Sequence, residues 1–230
     1  MKYPLMSESL AIDEIILTRR KTIALIVQPN GRLVVRAPLR TSQKEIRLLV
    51  DRNAGWIRNK QELVKATYTP FVPRRFVNGE NFYFLGNPYP LEILNTNHPA
   101  LTFDSKFYLS KTALPNARAV FERWYRQQAL EILTDRVQHF ASQHGFRATQ
   151  VRISSARTRW GSCSARGTLS FTWRLVMAPL PVIDYVVVHE LVHLKVRNHS
   201  KQFWDQVNQL MPDFKNRRSW LKEHGHTSNL

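Results

Sequence analysis

Residues 189–204 read HELVHLKVRNHSKQFW, with three histidines and one glutamate inside the first eleven positions. His189 and His193 stand four apart, so on a helix both imidazoles project from one face, one turn apart. Two imidazoles so placed can ligate a single zinc ion. Glu190 completes the HExxH pattern, in which the carboxylate is aimed at water on the metal and acts as general base. The upstream positions Val182, Ile183, Tyr185, Val186, Val187 and Val188, with Leu191, Val192 and Leu194 beyond, are apolar nearly all round the helix. Such a helix is buried. Two histidines and a carboxylate there are costly unless something pairs with them, and a metal would. The bland alternative is a buried helix whose histidines bond to backbone carbonyls.

His199 follows six residues after His193. Asn198 is expected to take the left-handed conformation, end the helix and turn His199 toward the site. That gives three protein ligands and leaves a position for water, as catalytic zinc sites do. Asp205, Glu223 and His224 are rival third ligands, and "NHS" is also an ordinary inter-helix turn. A strand signal precedes the helix, and an exposed strand beside the metal can bind an extended peptide by β-addition. Zinc is favoured by ligand chemistry, although three imidazoles also suit nickel or copper.

Around this segment the chain of 230 residues is long enough for one large domain or two small ones. Its 43% hydrophobic and 11% aromatic content exclude wholesale disorder. The single cysteine, Cys163, excludes an intramolecular disulfide and points to a reducing, cytoplasmic setting. The N-terminus carries no signal-peptide pattern, and no apolar run is long enough for a membrane span. The net charge of +17 favours polyanions such as nucleotides or nucleic acid, or else a solvated basic surface.

The fold expected is α+β: a β-rich N-terminal part with one helix, residues 1–112, then a catalytic part with the HExxH helix, residues 113–230. "TIALIVQ" and "RLVVRAP" flank an Asn-Gly turn and predict a hairpin. Ser42 and Glu45 fit a capping box opening one helix through Ile46, Leu49, Val50 and Ile57 to about Val64. Gly79 and Gly86 are turn residues of a second hairpin pair. "NTNHPALTFDSK" reads as a loop and "FYLS" as a strand. From Pro115 a helix carries Phe121, Tyr125, Ala129, Leu133, Val137 and Phe140, and Gly145 stops it. "TQVRISSART" and "GTLSFTWRLV" read as strands joined by the loop "RWGSCSAR". Pro181 starts the HExxH helix, and Ser200 caps the next one.

Other residues invite chemistry. Cys163 beside Arg159 and Arg166 suggests a nucleophilic thiol, but a structural role near the site is preferred. Arg157, Arg159 and Arg174 can steady an oxyanion or bind phosphate; each is read instead as a surface arginine. Trp160, Trp173, Trp204 and Tyr185 are read as core.

The segment "RWGSCSARGTLSFTWRLVMAPLPVIDYVVVHELVHLKVRNHSKQFW" resembles the YgjP-like metallopeptidase domain family, which belongs to the zincins and is related to SprT-like and WLM-type proteases. The "WGSCS" loop, the "G-x-L-x-F-x-W-R-L" strand, the HExxH helix and "N-H-S-x-x-F-W" carry the likeness. "RAP" before a helix ending in "W-I-x-x-K" extends it toward the N-terminus. The resemblance implies His189, His193 and His199 as metal ligands and Glu190 as the catalytic carboxylate. The expected function is therefore zinc-dependent hydrolysis of a peptide or protein. Two rivals stand: hydrolysis of a nucleotide phosphoanhydride at the same site, and a basic nucleic-acid-binding module with a structural zinc.

Overall fold

Alternating apolar residues build the first sheet. Ile23, Leu25 and Val27 pack against Leu33, Val35 and Ala37. The computed structural model describes residues 10–28, 30–67, 73–95 and 99–225; the first nine of the twenty residues on which the signal-peptide reading rests lie outside them. Contacts divide the chain into two compact units, residues 1–72 and 73–230.

In the first unit, strands β1 (Glu14–Thr18), β2 (Ala24–Val27) and β3 (Leu33–Pro38) pair in the order β1-β3-β2. β2 and β3 form the expected antiparallel hairpin, while β1 runs parallel to β3. The capping box is present: Ser42 and Glu45 bond reciprocally at the start of helix α1 (Gln43–Arg52). The single helix expected through Ile57 is two. Asn53 breaks it, with its amide NH2 donating to the Leu49 carbonyl at 2.7 Å, before α2 (Ala54–Thr67). An asparagine side chain that bonds locally competes with the helix ladder.

The second unit opens with β4 (Asn81–Phe84), β5 (Asn87–Leu94), β6 (Leu101–Asp104) and β7 (Lys106–Ser110), ordered β4-β5-β7-β6. The stretch read as a loop therefore contains β6, held antiparallel to β7. Helix α3 (Ala117–His144) carries the predicted stripe, burying Phe121, Tyr125, Ala129, Leu133 and Val137, and Gly145 ends it in the left-handed region at φ 66°. The β4–β7 sheet packs on this helix. The Phe82 and Phe121 rings stack at 4.2 Å, and the Tyr125 hydroxyl donates to the Tyr83 carbonyl at 2.7 Å. These contacts make 73–112 part of the α3 core, so the compact units divide at 72/73 rather than near 112.

A third sheet holds β8 (Gln150–Ser154), β9 (Gly161–Cys163) and β10 (Thr168–Thr172), ordered β8-β10-β9. β9 lies inside the segment read as a loop, antiparallel to β10. "WRLV", read as strand, is instead part of a 3₁₀ turn, Trp173–Met177, with every side chain buried. Helix α4 (Leu180–Val192) follows, with Pro181 in its first turn. A bidentate pair ties it to α3: Arg136 donates to the Asp184 carboxylate at 2.7 and 3.2 Å. Helices α5 (Lys201–Leu210) and α6 (Phe214–His224) complete the unit. Among the described residues no helix is long and apolar enough to cross a membrane.

The turn between β4 and β5 sets the approach to α4. Leu85 and Gly86 both have positive φ, 49° and 87°, as a primed hairpin turn requires. Their amides donate to the Val176 and Met177 carbonyls at 2.8 and 3.2 Å. A Cβ on Gly86 would lie 2.9 Å from the Pro179 Cα, at the cap of α4. Gly86→Ala therefore adds backbone strain and a clash together. It is expected to destabilise the protein by about 2–4 kcal/mol, measured by urea denaturation.

Candidate metal centre

Helix α4 supplies the first two histidines by its 3.6-residue repeat, but it ends earlier than expected. Val192 is its last residue and His193 its C-cap. The Leu194, Lys195 and Val196 amides close the end onto the Leu191 and Val192 carbonyls. Asn198 does not take positive φ, so the return of His199 comes from this tight turn and not from a left-handed asparagine. Ser200 stands at the N-cap of α5 with no side-chain bond to the helix.

The three histidines converge. One ring nitrogen from each of His189, His193 and His199 lies within 4.8 Å of the others. The His189 and His199 Nε2 atoms are 3.0 Å apart. Two Zn–N bonds of tetrahedral geometry hold their nitrogens about 3.3 Å apart, so small shifts would admit an ion. His193 Nδ1 lies 3.0 Å from the Val196 carbonyl, a bond only the Nδ1–H tautomer can make. That leaves Nε2 with its lone pair free, the usual arrangement behind a metal-binding imidazole. Phe203, fully buried on α5, packs against all three rings at 4.5–4.9 Å. The Trp204 ring stacks on His199 at 5.6 Å.

The rival ligands are engaged elsewhere. Asp205 pairs with Lys201 at 2.8 Å, Glu223 accepts from the Ser219 hydroxyl at 2.9 Å, and His224 stacks on Trp220 at 4.7 Å.

Burial sets the electrostatics. His189 is pushed down to about 3, by desolvation first and then by His193, His199 and Arg218. It is neutral at physiological pH, with lone pairs available to a metal. His193 is also lowered, again chiefly by burial. Glu190, 5% exposed, is pushed up to about 7 by burial, against a smaller opposing pull from Arg159. Its Oε2 and the His189 Nδ1 are buried with no hydrogen-bond partner among the described residues. A buried carboxylate oxygen left without a partner is unusual enough to need a function.

A cleft of about 430 Å³ joins these groups. Gly161, Ser162 and Cys163 of β9 line one side, and His189, Glu190, His193, Arg197 and His199 the other. β9 is the edge of its sheet. Cys163 faces the cleft, but burial and Glu190 both raise its thiol, so it is a poor nucleophile there. Of the three arginines read as surface residues, Arg174 is buried at 8% exposure, with its guanidinium over the Trp173 ring at 4.2 Å. Arg157 and Arg159 are exposed. Trp173 and Tyr185 are core, whereas Trp160 and Trp204 are half-buried.

Gly161 was not singled out in the sequence. A Cβ on it would lie 2.6 Å from Glu190 Oε1 and 2.7 Å from its Cγ. The "WGSCS" segment thus needs glycine so that the edge strand can pass directly over the carboxylate.

A family model described as YgjP-like, metallopeptidase domain, matches residues 21–224. The chain belongs to this family. The crystal structure of the metallopeptidase zymogen of Pyrococcus abyssi abylysin is similar to part of the chain, at 26% identity, over 39% of this chain and 93% of that one, with a TM-score of 0.36. No curated protein matches. Family membership makes this a metal-dependent peptidase domain, with a divalent metal and a peptide or protein substrate.

Gly161→Ala tests the close approach. The three imidazoles are untouched, so metal content should be kept. Displacement of Glu190 should lower the peptidase rate on the order of 100-fold, measured with an unfolded protein substrate.

Proposed function

We propose that this domain is a zinc peptidase in which His189, His193 and His199 hold the ion and Glu190 moves the proton. One observation supports this above the others: Glu190 presents a buried, unpartnered Oε2 in the same cleft as three converging imidazoles. When bound, zinc supplies Lewis acidity, polarising the scissile carbonyl and making water acidic near pH 7.

The chain's own residues account for the rest. The free edge of β9 can take an extended peptide by main-chain hydrogen bonds, which presents the scissile bond to the cleft. Glu190, poised near 7, accepts a proton from the attacking water and returns it to the leaving amine. The Val196 carbonyl fixes the His193 tautomer, and Phe203 keeps the three rings in place. A single cysteine and no disulfide suit a reducing compartment such as the cytoplasm.

Metal analysis should find about one zinc per chain, lost in His189→Ala and His193→Ala. Glu190→Gln should keep the metal and lose cleavage of unfolded proteins by on the order of 10³-fold. Hydrolysis of nucleoside triphosphates that depends on Glu190, without peptide cleavage, would overturn the assignment.

The same substitution should stabilise the metal-free protein. Glu190 is raised from 4.5 to about 7 in the folded state, so the folded chain holds the extra proton between those values. Its contribution to stability is present below about pH 4.5 and lost as pH rises through about 7. Glutamine does not titrate. The thermal stability of chelator-treated Glu190→Gln should therefore exceed that of wild type by about 1–3 kcal/mol above pH 7, with the gap closing toward pH 4.5.

A further inference from the structure

A second pocket borders Trp204, whose ring also contacts His199. It has a volume of about 430 Å³ and is lined by Trp204, Phe214, Lys215, Arg218, Ser219 and Lys222. It shares no lining residue with the cleft that holds Glu190. Trp204 connects the two. One contact is the stack on His199 at 5.6 Å; in another, the Arg218 guanidinium sits over the same ring at 4.7 Å. Phe214 stacks on Trp204 at 5.5 Å, giving the pocket an aromatic wall.

The charge of this pocket is unbalanced. Nearby cations on α5 and α6 have partners: Lys201 pairs with Asp205, and Arg217 with Asp213, both at 2.8 Å. Among the described residues, no carboxylate pairs with Lys215, Arg218 or Lys222. Glu223, next to Lys222 in the chain, is occupied by the Ser219 hydroxyl at 2.9 Å. Three cations around one aromatic-walled hollow create a positive potential that an incoming anion would relieve. Arg218 offers a planar fork, held by its stack on Trp204, that matches a carboxylate. The two stacking distances, 5.6 and 4.7 Å, put that fork within about three extended residues of His199.

Resting on the peptidase reading, we propose that this pocket is a specificity subsite for a carboxylate of the substrate. The carboxylate comes from an acidic side chain near the scissile bond or from the free C-terminus of the peptide. Arg218 and Lys222 bind it beside the aromatic wall of Trp204 and Phe214. The domain therefore selects peptides that present a carboxylate at that distance from the scissile bond.

The test uses the full-length, metal-loaded enzyme and fluorogenic peptides that differ only by Glu or Gln. The substitution is placed at each of three positions on either side of the scissile bond, with a free or an amidated C-terminus. A carboxylate held by charge-assisted bonds should raise kcat/KM about tenfold or more in one arm. Arg218→Gln and Lys222→Gln, both exposed side chains, should each reduce that ratio toward unity. A preference that follows the internal Glu identifies the side chain as the source; one lost on amidation identifies the terminus. Equilibrium binding to Glu190→Gln, read by fluorescence anisotropy, gives a measure that needs no turnover. Pocket-dependent binding of acidic peptides without cleavage by wild type would retire the peptidase reading and keep the subsite. Cleavage with no charge preference, or a preference that survives both substitutions, would overturn the subsite.

Discussion

The structure is organised around one unfavourable act, the burial of a carboxylate and two imidazoles on an otherwise apolar helix. Moving such groups out of water costs several kcal/mol each unless they are paired or neutral. The protein neutralises them where it can. His189 is held down to about 3 and stays uncharged near neutral pH, while Glu190, raised to about 7, is only partly ionised there. In the window between about 4.5 and 6.5 their effects on stability oppose each other. The folded chain keeps a proton on Glu190 that the unfolded chain gives up, and refuses one on His189 that the unfolded chain takes. The contributions of Glu190 and His189 thus offset each other in mild acid.

That burial dictates the surrounding architecture. α4 is wedged between α3, through Arg136 and Asp184, and the β4–β5 turn, which touches its cap at Pro179. On its other side β9 passes so close to Glu190 that only glycine fits at position 161. α5 closes the site from below with Phe203. Of these elements, β9 and α5 pack directly on Glu190 and the histidines and limit the water that reaches them. This strengthens any electrostatic interaction made inside the cleft.

The residues readable from sequence are those whose chemistry is local. His189 and His193 declare themselves by helical spacing, the Ser42–Glu45 box by its two partners, and α3 by a stripe of large apolar residues ending at Gly145. What escaped is set by tertiary contact. Gly161 looks like any loop glycine until Glu190 is placed under it. β9 is three residues long and exists because β10 is there to pair with. β6 likewise owes its strand character to β7. The unit boundary falls at 72/73 because aromatic rings of β4 and β7 are buried on α3, a contact that no composition shift announces. Asn198 was a reasonable turn residue, but the helix had already ended at Val192, where three amides found closer carbonyls.

The net charge of +17 is the feature that sequence reasoning treated most coarsely, since it was read as one property. The structure resolves it into different situations. Arg136 is a structural cation, neutralised by Asp184 within the helical core. Arg174 is buried against Trp173, where its desolvation and neighbouring arginines lower its proton affinity. Lys215, Arg218 and Lys222 surround a hollow one aromatic ring away from the triad. Arg197 itself lines the cleft of Glu190 and the three histidines, so it and this last group lie nearest a ligand bound there. A sum over the whole chain cannot separate them, because the Coulomb energy of each depends on its local dielectric and partners and not on the total. The total of +17 therefore does not by itself single out a polyanionic substrate; the placement of each cation does that work.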